Sequence, residues 1–278
     1  MDITFEQFQH SCPASAMPDN SIFESISGYV DFARVEAVGI LTLEIFDRLD
    51  TVEPSDPDYD VLQQLSRDTV SYICSSAFWA AVPQLDLVLT STGFGVVSNQ
   101  NVAPASYSRV EALRTALRLN LLARLDSMIS TLRSLEQWHD SAPCREYFRT
   151  LFWRSDQIRI VAGPLATRDD LTSNMPRIAN AELQVAQIIS PEQLALLRRL
   201  EATDKATPIQ SMAIQHCRSF VVACLCDPNA IELHRRILLG FVESHPDEFA
   251  LYHSSQTYKA NHFEPYRNEK DDSCFFFG

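Results

Sequence analysis

The feature that most constrains this fold is a long helical pattern between residues 107 and 138. Apolar side chains recur there every three or four positions in one unbroken row: Val110, Leu113, Leu117, Leu121, Leu125, Met128, Leu132 and Leu135. This spacing places them on one face of an α-helix. At ~1.5 Å per residue such a helix reaches ~45 Å, which is longer than one small bundle requires. We therefore expect it to brace the whole chain.

Helical patterns also cover most of the remaining sequence. Apolar residues at three- and four-residue steps predict helices over about 21–41, 58–81, 142–152, 178–189 and 208–226. Ser190 and Thr207 are strong start signals, because each is followed by proline and then, at the third helical position, by glutamine. The sequence therefore predicts a mainly α fold, a helical bundle.

The segment 85–98 has the period of a β-strand instead. Leu85, Leu87 and Leu89 alternate with other side chains, a turn follows at 91–93, and 95–97 can return as a second strand. These features predict a β-hairpin that protrudes from the helical body, a shape suited to contacts with other chains. We expect a protein–protein interface at its apolar side chains, which are Leu87, Leu89, Phe94, Val96 and Val97.

An internal duplication is a further hypothesis. The segment 33–36 (ARVE) resembles 179–182 (ANAE), and the strand-like segment 3–5 resembles 158–160, within a predicted strand at 157–161. Chance similarity between helices explains the same pattern, so both interpretations stay open. The predicted organisation is a first helical half (1–84 and 99–152) with the hairpin 85–98 inserted, a second half (153–253) and an extended C-terminal arm (254–278).

The predicted arm has no helical period. It contains Tyr258 and Tyr266 and closes with Phe275, Phe276 and Phe277 before the final glycine. Three exposed phenylalanines would form an apolar patch, so we expect them to be covered by other protein. We assign these aromatic residues to an interface with a neighbouring subunit, with packing on the chain's own core as the alternative.

Charge and composition restrict the class of protein. The formal net charge of −13 argues against a general nucleic-acid binder, which needs an excess of Lys and Arg. It indicates either solubility alone or an acidic surface along which DNA passes without sticking. The seven cysteines are scattered and odd in number, which suits reduced thiols. With no signal peptide and no membrane span in the sequence, we expect a soluble protein that stays in the cytoplasm where it is made.

Motifs for catalysis or nucleotide binding are weak, and we predict neither an enzyme nor a cofactor. The segment 92–95 (TGFG) lacks the third glycine and the Lys-Ser or Lys-Thr of a phosphate loop. The segment 56–60 (DPDYD) alternates carboxylates as a calcium loop does, but Val61 stands where glycine must turn, so we expect a capped, solvated linker. His245 and His253 lie beside carboxylates without any sign of a pocket.

Metal and thiol chemistry offers one cluster and one lone residue. His216, Cys217, Cys224 and Cys226 are the best metal candidates, but Cys224 and Cys226 lie ~200° apart around a helix, so we favour core packing and predict no metal site. Cys144 follows a helix start and precedes Arg145, a setting that lowers a thiol pKa.

Two segments carry a resemblance to a known family. The segment 93–113 (GFGVVSNQNVAPASYSRVEAL) and the terminal FFFG after a tail rich in Tyr and Asn are similar to proteins encoded by phages and prophages of Bacteroides-type gut bacteria. The resemblance covers most of the chain, most specifically 85–114 and 254–278. It implies a virion protein of the head–tail connector, or adaptor, type.

That resemblance implies a homo-oligomeric ring, with a dodecamer favoured, between the portal and the tail or neck proteins. DNA would pass through its lumen without sequence-specific binding, no membrane is involved, and assembly takes place in the host cytoplasm. The alternatives are a tail-completion or neck protein in a hexameric ring, a cytosolic helical enzyme with a site between the helical halves, and an adaptor for a host protein.

Overall fold

The computed structural model describes residues 1–12, 21–85, 87–90, 93–96 and 106–262, and in the two strands it describes the backbone alone. This part of the chain is mainly helical. Its α-helices are α1 (Phe5–Ser11), α2 (Ser21–Ser25), α3 (Ser27–Leu41), α4 (Leu43–Arg48), α5 (Tyr59–Ala81), α6 (Tyr107–Leu132), α7 (Ala142–Tyr147), α8 (Arg159–Ala162), α9 (Arg168–Ile189), α10 (Pro191–Ala202), α11 (Pro208–Cys226), α12 (Ile231–Glu243), α13 (Ala250–His253) and α14 (Gln256–Asn261).

Two short strands precede α6. β1 (Leu87–Thr90) and β2 (Gly93–Val96) pair antiparallel, with Leu87 opposite Val96 and Thr90 opposite Gly93. They fall within the segment 85–98, but their side chains and all of Val97 lie outside the described residues. The interface expected there stays a prediction.

The helices enclose two hydrophobic clusters, which we call the first core and the second core. In the first core α5 packs between α3 and α6, and its largest fully buried side chains are Trp138 and Phe8. In the second core α11 packs against α9 and α12 around Phe220, Phe249 and Tyr252. Burying one such ring contributes about 1.5–3 kcal/mol, so each cluster is a substantial source of stability.

The two cores meet where the chain passes from one to the other. Leu151 and Phe152 belong to the second core, and Trp153 belongs to the first. The predicted division between residues 152 and 153 lies in this crossing. Whether each half folds as an independent domain stays a prediction.

Local signals explain most helix ends. Thr207 accepts a hydrogen bond from the Gln210 amide while the Gln210 side chain accepts one from the Thr207 amide, which is the predicted capping box. Ser190 likewise caps α10 through the Gln193 amide. Thr42 has φ +86° and separates α3 from α4.

The strand predicted over 157–161 is wrong, because a 3₁₀ turn (Ser155–Ile158) runs directly into α8 there. The Gln157 side chain accepts hydrogen bonds from the amides of Trp153 and Arg154 and so starts the turn. The strand-like reading of 3–5 is wrong as well, since Thr4 caps α1. Neither segment supports the duplication, which stays a prediction resting on the helical similarity.

Three helix boundaries also differ from the sequence prediction. The long helix expected over 107–138 ends at Leu132, and Leu135, the last residue of the predicted row, lies beyond it, before a separate 3₁₀ helix (Glu136–Trp138). The helix expected over 142–152 ends at Tyr147, because the following residues turn inward to form the crossing between the cores. α9 begins ten residues before position 178, at Arg168, since Thr167 and Asp170 form a capping box. Pro176 lies inside α9 and does not end it.

None of the helices in the described ranges combines the length and the apolar character that crossing a lipid bilayer requires.

Candidate functional site at the junction of the two cores

The crossing segment, residues 148–154, is held by buried polar side chains of the second core. The Leu151 amide donates to Glu182 Oε1 at 2.7 Å, and the Leu151 carbonyl accepts from Arg218 Nε at 3.0 Å and Nη2 at 2.7 Å. Glu182 is fully buried and also accepts hydrogen bonds from Arg198. α9 and α11 therefore bind both backbone polar groups of Leu151, which a buried residue outside regular secondary structure needs.

Glu201 of α10 is the centre of the junction. Its Oε1 accepts a hydrogen bond from Trp153 Nε1 at 2.7 Å and another from Arg218 Nη2 at 2.7 Å. Its carbonyl oxygen accepts from Arg133 Nε at 2.7 Å, and the Arg133 guanidinium lies 4.9 Å from the centre of the Trp153 ring. This network joins the end of α6 in the first core to α10 and α11.

A second set of bonds closes the junction from the side of α9. Arg168 is 8% exposed and donates from Nη1 to Asp126 Oδ1 at 2.5 Å and to the Trp153 carbonyl at 2.6 Å. Asp126 of α6 also accepts from the amide and the hydroxyl of Ser155 through Oδ2. The first core and the second core are thus bonded on two sides of the same crossing.

These contacts move the pKa values of the two buried glutamates in opposite directions. Burial alone raises the pKa of Glu201, but Arg218, Trp153 and Arg133 outweigh it and hold the pKa below its ordinary value. Burial dominates at Glu182 and raises its pKa, although Arg198 and the Leu151 amide act against the rise.

A cleft of about 690 Å³ opens beside the junction. Its charged lining includes Arg133, Arg154, Arg218 and Glu201, and His234 lies at its α12 side. The three arginines are bound in ion pairs, Arg133 to Asp204, Arg154 to Asp156 and Arg218 to Glu201. General acid–base or anion-binding chemistry needs groups that are available to a substrate, and in these arginines the charge is already matched within the chain.

A second cleft, of about 640 Å³, lies on the first core between α1, α5 and α6. At its base Asp68 is 1% exposed and accepts hydrogen bonds from Arg124 at 3.1 Å, Ser127 at 2.7 Å and Gln64 at 3.0 Å. This carboxylate, too, has its hydrogen-bonding capacity taken by the chain and acts in packing α5 against α6.

The residues considered as metal or calcium ligands do not form a binding site. The His and Cys candidates do not converge, and the aspartates are paired with an arginine. Cys217 is fully buried and Cys226 is exposed, and no group of His, Cys, Asp and Glu within the described ranges converges as metal ligands do. Asp56 and Asp58 bind Arg48 at 2.8 and 3.1 Å, and hydrogen bonding from Arg48 lowers the pKa of Asp56. The segment 56–60 is thus a linker tied to α4.

The lowered pKa predicted for the Cys144 thiol is wrong. Cys144 is 2% exposed, and burial raises its pKa to about 11, with Asp140 adding to the rise and Arg145 only partly opposing it. The guanidinium next to it in sequence cannot offset the loss of water around the sulfur.

Of the interface residues predicted in the arm, the structure describes Tyr258 alone. Tyr258 lies in α14, partly buried against the second core, with its ring 5.4 Å from that of Tyr252 and stacked on His262. The other arm residues of that prediction lie in 263–278, outside the described residues, and their interface role stays a prediction: Tyr266, Phe275, Phe276 and Phe277.

Exposed apolar residues on helices of both cores are the feature that the sequence prediction missed. Phe32 and Val35 on α3 are 75% and 72% exposed, and Leu233 on α12 is 59% exposed. A signal was present, because α3 carries apolar residues on its outer face as well as on the buried stripe from Val30 to Leu41. Helices with apolar residues on both faces are covered on both faces.

Comparison with known proteins gives one match. The model of a family of unknown function (DUF6712) matches residues 41–147, which run from the end of α3 to the end of α7 and include β1 and β2. The chain is therefore similar to that family over most of its first core. No curated protein and no solved structure matches the chain.

Proposed function

We propose that this chain is a structural subunit of a phage virion, a head-to-tail connector that forms a ring between the portal and the tail. The similarity of residues 85–114 and 254–278 to phage-encoded proteins suggests this class. The family that matches residues 41–147 has no functional description, so this match neither supports nor opposes the proposal.

One observation carries the proposal. The arginines that line the cleft beside the junction form ion pairs within the chain, whereas large apolar side chains are exposed on helices of both cores. A substrate-binding protein has the opposite arrangement, with unpaired polar groups in a cleft and a polar outer surface. The arrangement fits a body whose work is contact with other protein chains.

The bonded junction also fits this role. A ring subunit has to keep a fixed shape so that each heterologous contact repeats the same rotation and the ring closes. Two cores joined through Glu201, Arg218 and Arg168 supply such a body. The net charge of −13 suits a channel along which DNA slides without binding.

Negative-stain images and mass photometry of the purified chain test the proposal. We expect rings, with twelve subunits favoured over the six of a neck protein. A six-membered ring would replace the connector assignment with the tail-completion one. A chain that stays monomeric at micromolar concentration, and that binds a small molecule in the cleft beside Arg133 and His234, would replace the structural role with an enzymatic one.

Deletion of residues 273–278 tests the arm separately. We expect the shortened chain to keep its thermal unfolding transition but to assemble poorly, because the three phenylalanines are lost. A full-length chain with Asp271→Asn and Asp272→Asn is the matched control, since it changes the same tail and keeps the aromatic residues. If the shortened chain assembles as the control does, the arm has no part in assembly.

A further inference from the structure

The outer face of α3 is an apolar surface that none of the residues described by the structure covers. Phe32 and Val35 are 75% and 72% exposed, and Gly28 and Gly39 lie one turn before and one turn after them on the same side of the helix. Leu43, 61% exposed, follows at the start of α4, beyond the break at Thr42. We call the line of Gly28, Phe32, Val35 and Gly39 the α3 face.

The outer side of α12 forms a second such surface on the other core. Leu233 is 59% exposed and Ile237 is 40% exposed, and Gly240 follows on the same side. We call this line the α12 face. The two faces have a similar construction: each has two large apolar side chains, with two glycines in the α3 face and one in the α12 face, at three- and four-residue steps.

The glycines in these faces have no packing partner among the residues that the structure describes. A Cβ added at Gly39 or at Gly240 would meet no atom within 4 Å. Glycine in a helix interior costs about 0.5–1 kcal/mol relative to alanine, so internal packing gives no reason for either one. Close approach by a helix of another molecule does give a reason, because a missing Cβ lets two helix backbones approach each other.

The charges beside the α3 face are mainly negative. Arg34 is the single cation for two carboxylates, Asp2 and Asp31, at 2.5 and 3.4 Å. Glu36 adds a third carboxylate, bound to the Ser76 hydroxyl and exposed at the edge of the face.

The charges beside the α12 face are of both signs, since α12 carries Glu232, Arg235, Arg236 and Glu243. Arg235 and Arg236 share the Glu232 carboxylate, at 3.8 and 3.1 Å. The most exposed of these charges is the Arg236 guanidinium, whose side chain is 76% exposed. It is opposite in sign to the carboxylates of Asp31 and Glu36 beside the α3 face, whereas two copies of the α3 face would bring like charges together.

We propose that the α12 face of one copy of this chain packs against the α3 face of the next copy. The faces lie on different cores and both are exposed in the part of the chain that the structure describes, so the contact is head-to-tail and leaves each copy with one face free for a further neighbour. This inference rests on the proposed ring, and it names the surface through which neighbouring subunits of that ring touch.

A mixing experiment tests the contact with the full chain. Val35→Arg disables the α3 face and leaves the α12 face, and Ile237→Arg does the reverse. We expect each variant alone to remain monomeric in mass photometry and the equimolar mixture to form pairs at twice the chain mass. The mixed pairs should not add a third chain, because the intact α12 face of one variant is bound to the intact α3 face of the other. The two faces that remain free carry the arginine substitutions. Leu165→Arg, at a side chain 89% exposed and outside both faces, is the control and should assemble as the unmodified chain does.

The outcomes separate this contact from the proposed function. If the unmodified chain forms rings and both variants still form them, the contact is wrong and the ring remains. If Val35→Arg blocks assembly while Ile237→Arg does not, α3 has another occupant and the head-to-tail pairing is wrong. If the unmodified chain never assembles, the contact and the ring both fail. Thermal unfolding of each variant shows that its fold is retained.

Gly39→Ala provides a second measurement that does not depend on disrupting the surface with charge. We expect this variant to unfold at a higher temperature than the unmodified chain, since alanine favours the helix, and yet to require at least a tenfold higher concentration for assembly. Equal or tighter assembly would overturn the close packing of helices at this position.

Discussion

Arg218 donates two hydrogen bonds, from Nε and Nη2, to the carbonyl oxygen of Leu151, a residue 67 positions earlier in the chain. The same guanidinium pairs with Glu201 at 2.7 Å. One side chain of α11 thus fixes both the crossing segment and α10. Among the described contacts of the crossing segment, this is the one whose loss we expect to have the widest effect.

Arg218→Met should lower the free energy of unfolding by about 3 kcal/mol, because it leaves the Leu151 carbonyl and part of the Glu201 carboxylate buried without a partner. Urea denaturation measures this loss. Arg149→Met, which removes a solvent-exposed pair with Glu146, is the control and should cost about 0–1 kcal/mol. Equal losses in the two variants would show that the junction is not a special source of stability.

Glu201 and Glu182 should give stability opposite pH dependences. The pKa of Glu201 is lowered in the folded chain, so its contribution is present above the unfolded pKa and is lost as the pH falls through the folded pKa. The pKa of Glu182 is raised, so its ionisation costs stability as the pH rises from the unfolded pKa through the folded one.

Urea denaturation of Glu201→Gln and Glu182→Gln between about pH 2.5 and about pH 7 measures these contributions, because an unperturbed Glu titrates at about 4.3 and this range extends to both sides of it. The stability advantage of the unmodified chain over Glu201→Gln should shrink toward acid pH, and its advantage over Glu182→Gln should shrink toward neutral pH. Parallel pH profiles for the two variants would contradict the assigned directions.

Cys144 should resist alkylation in the folded chain. With a pKa of about 11, about one thousandth of this thiol is ionised at pH 8, and its side chain is buried. Cys226 is exposed and should react with iodoacetamide first, as read by peptide mapping after a short pulse. The same pulse in urea, where both thiols are accessible, is the control. Early labelling of Cys144 in the folded chain would show that the segment around it opens readily.

Thr207→Ala should destabilise the chain by about 1–2 kcal/mol, because it removes the cap of α11 and also a hydrogen bond to Glu248 at 3.1 Å. Thr172→Ala, at an exposed position inside α9, is the matched control and should change stability by less than about 0.5 kcal/mol, since alanine favours a helix interior. If Thr172→Ala lowered the free energy of unfolding and Thr207→Ala did not, the expected role of Thr207 as a helix cap would be contradicted.

The sequence allowed correct prediction where the deciding interactions are local. Thr207 and Gln210 form hydrogen bonds to each other across three positions, so the start of α11 can be recognised from the four residues 207–210 alone. The buried stripe of α3 and the row in α6 follow from spacing alone. The prediction failed at 157–161, where the alternation of Ile158 and Ile160 imitates a strand but Ile158 is buried and Ile160 is 78% exposed on a short helix.

The junction could not be predicted because its partners are distant in sequence. Glu182 binds the Leu151 amide 31 positions away, and Trp153 binds Glu201 48 positions away. Each of these residues, taken alone, resembles an ordinary surface charge or core aromatic. Only the packing of α9, α10 and α11 around the crossing brings them together.

The binding of both backbone polar groups of Leu151 has a mechanical consequence. The crossing segment is bonded to α9 and α11 through Leu151 and to α10 through the Trp153 indole. The Trp153 carbonyl also accepts from Arg168, which in turn binds Asp126 of α6. The crossing segment therefore cannot act as a flexible hinge. A force applied to one core moves both cores together. Any flexibility in an assembly of these chains has to come from the contacts between copies.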